Sequence, residues 1–464
     1  MSITSLPVEL VCEICGYLQL SELEAVRLTC CKLYRASLDT FADRYFKSIR
    51  FMATSEGLRN LEEIAKLEIV RERVQELWMI PAVFEGTDKD HRRSLGDYAV
   101  SSKSCQTLRG SELRARYAIY QTMVADNRSL VASEKFSTRL YKCMEKFKKL
   151  DTIGLANYTT PFLLDPRQQK IRFLGWRQLR EKIDYRFSPR GLDGLTSVGM
   201  AHFNSMALLR ILQAIRPHQQ IRKLHACNYG AIISDFNVPQ SQYYSILSIL
   251  EDLEALHLSI SPFGRPLSSD MVYWKHLGRG EPEPGKKSAI LNWFNVIINV
   301  APRLKVLEFS HGHHRTHPAK PNPLGELARF VGFTQLRELH LHWINFTSRT
   351  LILFLTTAKP TLRTLTLFSV TLDDGKDTAM EDDLHNTSDN SYTLRESPHW
   401  KRIWDFFRDE LSLQRLSMSK ISCDPRPCWI SGLGNSSKPR ETAEFDAKTA
   451  GISFNEWIGR LTPA

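Results

Sequence analysis

The chain lacks a run long and apolar enough for a membrane helix: none of its 464 residues belongs to an uninterrupted apolar stretch of about 18. Its start also lacks a basic segment followed by an apolar one. Neither secretion nor membrane spanning is expected, and the expected location is intracellular, in the cytoplasm and/or nucleus. Cysteine is sparse and odd in number, with nine residues scattered from Cys12 to Cys428, which suits a reducing compartment better than a disulfide framework. Catalytic signatures are missing too. There is no G-x-S-x-G elbow, phosphate-binding glycine loop, dinucleotide fingerprint or spaced carboxylate pair that stands out from the background. The expectation is a non-catalytic protein with no cofactor and no metal.

What is present begins at residues 6–37, LPVELVCEICGYLQLSELEAVRLTCCKLYRAS. Leu6, Leu10, Ile14 and Leu18 recur every four residues as one helical stripe. Ser5 is placed to cap that helix, with Pro7 tolerated in its first turn. Ser21 and Glu24 have the Ser-x-x-Glu spacing of a capping box that would start a second helix, whose buried face continues through Leu23, Val26 and Cys30. Cys12, Cys15, Cys30 and Cys31 superficially suggest a zinc site, but in amphipathic helices cysteine serves as a small apolar residue. So short a unit cannot bury enough apolar surface alone and needs the rest of the chain or a partner to cover it.

This segment resembles an F-box. The resemblance implies docking to the Skp adaptor, and through it the cullin, of an SCF-type cullin-RING ubiquitin ligase. Carried over by position, Leu6, Pro7, Leu10, Ile14, Leu18 and Leu23 line the adaptor contact. Leu33 departs from the pattern, standing where many members have tryptophan.

Behind this segment a phrase of the form L-x-x-L-x-L returns: Leu253, Leu256, Leu258; Leu304, Leu307, Phe309; Leu336, Leu339, Leu341; Leu362, Leu365, Leu367; and Leu413, Leu416, Met418. Looser copies precede it at Phe46, Ile49, Phe51; Val74, Leu77, Met79; Leu150, Ile153, Leu155; and Ile221, Leu224, Ala226. Each alternates like a short strand, and most follow a helical stretch such as 292–300 or 349–358. A repeated helix and strand must stack on its neighbours to bury an apolar face. The expected fold class is α/β: an all-helical F-box over 1–47, then a degenerate leucine-rich-repeat-like solenoid with a parallel sheet over 48–422. Inserted loops are expected at 82–107, 262–287 and 371–398, the last disordered, and a C-terminal cap at 423–464 in which Phe454, Trp457 and Ile458 cover the last repeat. The spacing is irregular, and Ile344, Val370 and Ile421 stand where an asparagine ladder would be. A helical-repeat or mixed α/β domain is the structural alternative.

Alternation turns the intervening positions onto an open sheet face. His225, His257, Glu308, His340, His342 and Phe368 are the candidate substrate-binding residues there. His311, His313, His314 and His317 form a dense group without an accompanying acidic motif, flanked by an exposed turn. The chain carries 62 basic against 51 acidic residues. Arg167, Lys170, Arg172, Arg177, Arg180, Lys182 and Arg186 crowd one segment, but no recognised nucleic-acid fold accompanies them, and a solvated helix with Glu181 and Asp184 among its bases explains them as well. The reading is therefore a substrate receptor for an unknown protein, acidic or phosphorylated given arginine's affinity for phosphate. It contributes position rather than chemistry. An F-box scaffold outside an active ligase and a basic nucleic-acid-binding protein are the alternatives.

Overall fold

The computed structural model describes residues 3–81, 110–156, 173–183, 198–216, 219–226, 232, 235–260, 288–311, 323–372, 392–393, 398–423, 426–429 and 442–461. The fold is mixed α/β with mostly parallel strands, in two compact units, Met1–Ile221 and Arg222–Ala464. The expected boundary at 47/48 thus falls inside the first unit and that at 422/423 inside the second.

The first unit opens with helices α1 (Val8–Tyr17), α2 (Leu20–Arg27), α3 (Cys31–Ala36) and α4 (Leu38–Tyr45). Val11, Cys15, Leu23, Leu33 and Ala36 form their shared core, with Leu6, Leu18, Val26 and Phe41 packed against it. Two expectations about helix starts are corrected. Ser5 lies in a single 3-10 turn, Ile3–Ser5, and Pro7 is the N-cap of α1. A residue preceding proline is pushed out of the helical region, so Leu6 cannot lie inside a helix that contains Pro7. The capping box is not Ser21 with Glu24: Gln19 is the N-cap of α2, and its amide donates to the Glu22 carboxylate at 2.6 Å. Glu24 instead accepts from the Tyr45 hydroxyl at 2.7 Å, tying α2 to α4. The cysteines also divide, because Cys15 is buried while Cys12, Cys30 and Cys31 are exposed.

Helix α4 packs on the short helix Glu68–Arg71, and Arg73 reaches Asp39 at 3.1 Å and Asp43 at 3.3 Å. Strands β1 (Ser48–Met52), β2 (Glu76–Ile80) and β3 (Thr152–Leu155) follow, parallel and adjacent in chain order. Thr54 caps the helix Ser55–Lys66 between the first two by accepting from the Gly57 amide. Asn127, on the helix Ser111–Ala132, donates to the carbonyls of Ala53 at 2.6 Å and Pro81 at 2.9 Å, just past β1 and β2.

In the second unit β4 (Lys223–Ala226), β5 (Ala255–Ile260), β6 (Val306–His311), β7 (Glu338–His342), β8 (Thr364–Phe368) and β9 (Arg415–Ser419) pair in parallel in chain order. All nine expected phrases are strands. Their register aligns Leu224, Leu256, Leu307, Leu339, Leu365 and Leu416 in one row, each buried. Burying such a side chain contributes about 1.5–3 kcal/mol, which makes this row a main source of cohesion. The helices Trp293–Val300, Pro323–Phe330, Ser348–Ala358, Pro398–Glu410 and Phe454–Leu461 each pack on the next. Asn292 caps the first of them through the Asn295 amide.

After β7, β8 and β9 the chain turns through Trp343, Ser369 and Lys420, all left-handed, with φ of 52°, 53° and 52°. Ile344, Val370 and Ile421 are then buried, and the two-residue strands Asn345–Phe346, Thr371–Leu372 and Ser422–Cys423 form a second parallel ladder. Segment 371–398 is thus not wholly a disordered loop: Thr371–Leu372 and Tyr392–Thr393 are strands and Pro398 begins a helix, while 373–391 and 394–397 lie outside the described residues. Leu372 is drawn in because it continues the buried ladder. The expected loops 82–107 and 262–287 also lie outside the described residues. At the end, β10 (Thr442–Asp446) adds antiparallel to β9, and Phe454, Trp457 and Ile458 are buried, the first two against Phe445.

Candidate functional sites

Helix α1 is apolar on two faces. Val11 and Cys15 point into the helical core, while Val8, Leu10, Ile14 and Tyr17 are exposed, Leu10 at 47% and Tyr17 at 82%. Glu9 and Glu13 are exposed on the same helix, beside the apolar side chains of Leu10, Ile14 and Tyr17. Of the residues expected to line the adaptor contact, Pro7, Leu10 and Ile14 are exposed and Leu6 and Leu18 half-buried. Leu23, expected at the contact, is instead fully buried in the helical core with Val11 and Cys15. Val8 and Tyr17 were not anticipated, although Tyr17 follows Ile14 by one helical step of three. Leu33, at the tryptophan position, fills the core with 4% exposure. Nearby, the Arg27 guanidinium stacks over the rings of Tyr34 and Phe41 at 4.4 and 3.8 Å.

The second site is the open sheet face of the second unit, where register places the candidate residues side by side. His225, His257, Glu308, His340, Thr366 and Ser417 form one cross-strand row. Ser259, Ser310, His342, Phe368 and Ser419 form the next. Stacking joins His225 to His257, with centroids 4.0 Å apart and planes 15° apart. His257 Nδ1 lies 2.7 Å from Glu308 Oε2. Since a carboxylate can only accept, Nδ1 carries the proton of this contact. His340 Nε2 is 3.8 Å from the Glu338 carboxylate.

Burial dominates the electrostatics. It pushes the pKa of His225 down to about 3, with the neighbouring His257 adding to the effect and Glu308 opposing it. His340 and His342 are also held below the usual imidazole value, chiefly by burial and against the pull of Glu308. Burial works to raise the Glu308 carboxyl, but the hydrogen bond from His257 and the neighbouring imidazoles more than offset it, leaving it below the usual carboxylate value. Burial thus disfavours the charged forms of His225, His340 and His342 around the Glu308 carboxylate, which the hydrogen bond from His257 anchors. At the end of the face His342, Trp343 and Phe368 touch one another, with Lys420 Nζ 5.5 Å from the Phe368 ring centre. Trp343 and Lys420 went unrecognised in the sequence because a left-handed corner is ordinarily signalled by glycine.

Of the remaining candidates, His313, His314 and His317 lie outside the described residues. In the basic segment, Phe173 is buried and Arg177 pairs with Glu181 at 2.6 Å along an exposed helix. Among the described residues no helix is long and apolar enough to cross a membrane. No protein-family model matches the chain, and no curated protein is similar to it.

Proposed function

We propose that this protein is an F-box substrate receptor of an SCF-type ubiquitin ligase. It binds the Skp adaptor, and through it the cullin, by the exposed side of α1, and presents a protein substrate for ubiquitination and proteasomal degradation. The observation that carries the reading is that α1 buries Val11 and Cys15 in the helical core while leaving Leu10, Ile14 and Tyr17 exposed. The four-helix arrangement, with Leu33 filling the core at the variant position, is compatible with the family pattern. The repeated helix and strand in chain order support a leucine-rich-repeat-like solenoid whose open face meets the substrate. The receptor acts by positioning the substrate's lysines.

The test is co-purification of the full chain with the Skp adaptor, beside a Leu10→Ala, Ile14→Ala double variant. These side chains are partly exposed, so the variant is expected to keep its circular dichroism while adaptor affinity falls at least about tenfold, as for truncation of central interface residues. Leu23→Ala is the contrasting control, expected to lose about 2–5 kcal/mol of stability because it leaves a cavity. Equal capture by wild type and the folded double variant would refute the reading.

A further inference from the structure

On the open sheet face, the end where β7, β8 and β9 turn gathers aromatic rings beside a lysine. The backbone at this place is demanding. Trp343, Ser369 and Lys420 occupy the same corner of three successive strands, all left-handed, a conformation that glycine adopts freely and a bulky side chain adopts at a cost. The hydrogen bonds from Trp343 N to Phe368 O and from Ser369 N to Ser419 O fix each corner on the next strand. A tryptophan in this setting is a strained choice, and such strain gathers at functional positions. Filling the core is not what it accomplishes. Trp293 and Trp400 are fully buried, whereas Trp343 keeps part of its surface in solvent.

The ring joins others. Trp343 meets Phe368 edge to face with centroids 5.3 Å apart, and His342 lies 5.9 Å from each. Half-buried and in mutual contact, the three make a continuous aromatic platform, bordered along its row by Ser310 and Ser419. Exposed Lys420 stands beside it with Nζ 5.5 Å from the Phe368 ring centre, and among the described residues no carboxylate pairs with it. The anchored carboxylate of the face, Glu308, is already engaged by His257. An apolar platform with the Lys420 ammonium over one of its rings complements a large apolar group placed next to an anion.

We propose that His342, Trp343, Phe368 and Lys420 form the anchor for an extended protein segment in which an aromatic or large aliphatic side chain is closely followed by an aspartate or glutamate. The apolar side chain seats on the Trp343 and Phe368 rings and the carboxylate pairs with Lys420. This rests on the reading that the open face is the substrate-docking side of a receptor, and it specifies the chemistry of that substrate.

The experiment is selection of a phage-displayed random peptide library on the immobilised full chain. The enriched peptide is then synthesised and its affinity measured by fluorescence anisotropy for wild type, Trp343→Gly, Phe368→Ala and Lys420→Glu. Enriched sequences are expected to carry an aromatic or large aliphatic residue with an acidic residue within two positions. Trp343→Gly and Phe368→Ala should each weaken binding at least about tenfold, as loss of an aromatic hot spot does. Lys420→Glu should reverse the preference, so that the peptide with lysine in place of its acidic residue binds better than the original. Glycine suits the left-handed corner, so Trp343→Gly removes the ring without backbone strain, and circular dichroism verifies its fold. Three results would overturn the proposal: no enrichment, enrichment without the acidic residue, or equal affinity across the variants. The two readings fail separately, because adaptor capture is scored on the same preparations. Capture without the peptide motif sinks the anchor alone, and a motif that depends on these side chains in a chain that captures no adaptor sinks the ligase reading and sustains the anchor.

Discussion

Acidification is expected to destabilise the second unit through His225, and the size of the effect follows from its surroundings. Burial and the stacked His257 hold His225 neutral in the fold, with a pKa of about 3 against an ordinary 6.5. A histidine depressed in this way favours the folded state least where the unfolded chain binds the proton and the fold refuses it. Its penalty is absent well above pH 6.5, grows as pH falls through 6.5, and levels off below the folded value. At pH 5.0 the unfolded imidazole is almost fully protonated and the folded one is not, so linkage gives a loss of about 2 kcal/mol relative to pH 7.5. His340 and His342, shifted in the same direction, add to the loss over the same range. Glu308 is depressed as a carboxylate, so its stabilisation is lost only at lower pH, as the solution falls toward the ordinary carboxylate range. Urea unfolding of the full chain at pH 7.5 and 5.0, for wild type and His225→Phe, isolates the single residue. Phenylalanine preserves a ring against His257 and cannot titrate. The wild type should lose about 2 kcal/mol more than the variant between the two pH values, and parallel losses in the two proteins would refute the burial argument.

Two further predictions concern the N-terminal helices and the thiols. Glu22→Ala should cost about 1 kcal/mol by leaving the Gln19 amide without its acceptor, whereas Ser21→Ala, on an exposed first turn, should stay within about 0.5 kcal/mol; thermal melts with the opposite ranking would restore the Ser21–Glu24 box. Cys143 is buried and burial pushes its thiol up to about 12, so in the folded protein it should resist iodoacetamide while exposed Cys12, Cys30 and Cys31 react. Mass mapping of the alkylated sites after a timed quench checks this, and early labelling of Cys143 would contradict its placement.

Much of the architecture was legible because periodicity is a local property of the chain. A leucine every second position, after an amphipathic helix, forces a strand with one buried side, and nine such phrases became nine strands. The same alternation placed His225, His257, Glu308, His340 and His342 on the open face before any pairing was known, because side chains two apart must share a side. The N-terminal stripe was legible only in part: Leu10 and Ile14 share a face of α1, but Leu6 and Leu18 flank the helix and pack against its core instead. Where two local signals competed, the sequence was ambiguous. Ser21 and Glu24 had the spacing of a cap, yet Gln19 took the role because the extended break at Leu18 and Gln19 fixed where α2 could begin.

Tertiary structure alone decided the rest, because those features depend on which distant residues meet. Parallel register, set by long-range backbone hydrogen bonds, made His257 and Glu308 partners across 51 positions. Burial by neighbouring strands, invisible in composition, set the protonation of His225. Asn127 reached the carbonyls of Ala53 and Pro81 from a helix far along the chain. The left-handed corners carried Trp, Ser and Lys, because the stacked second ladder imposed the turn and glycine was not there to announce it. The sequence determined which side of each element is apolar; the fold determined which polar groups those sides bring together.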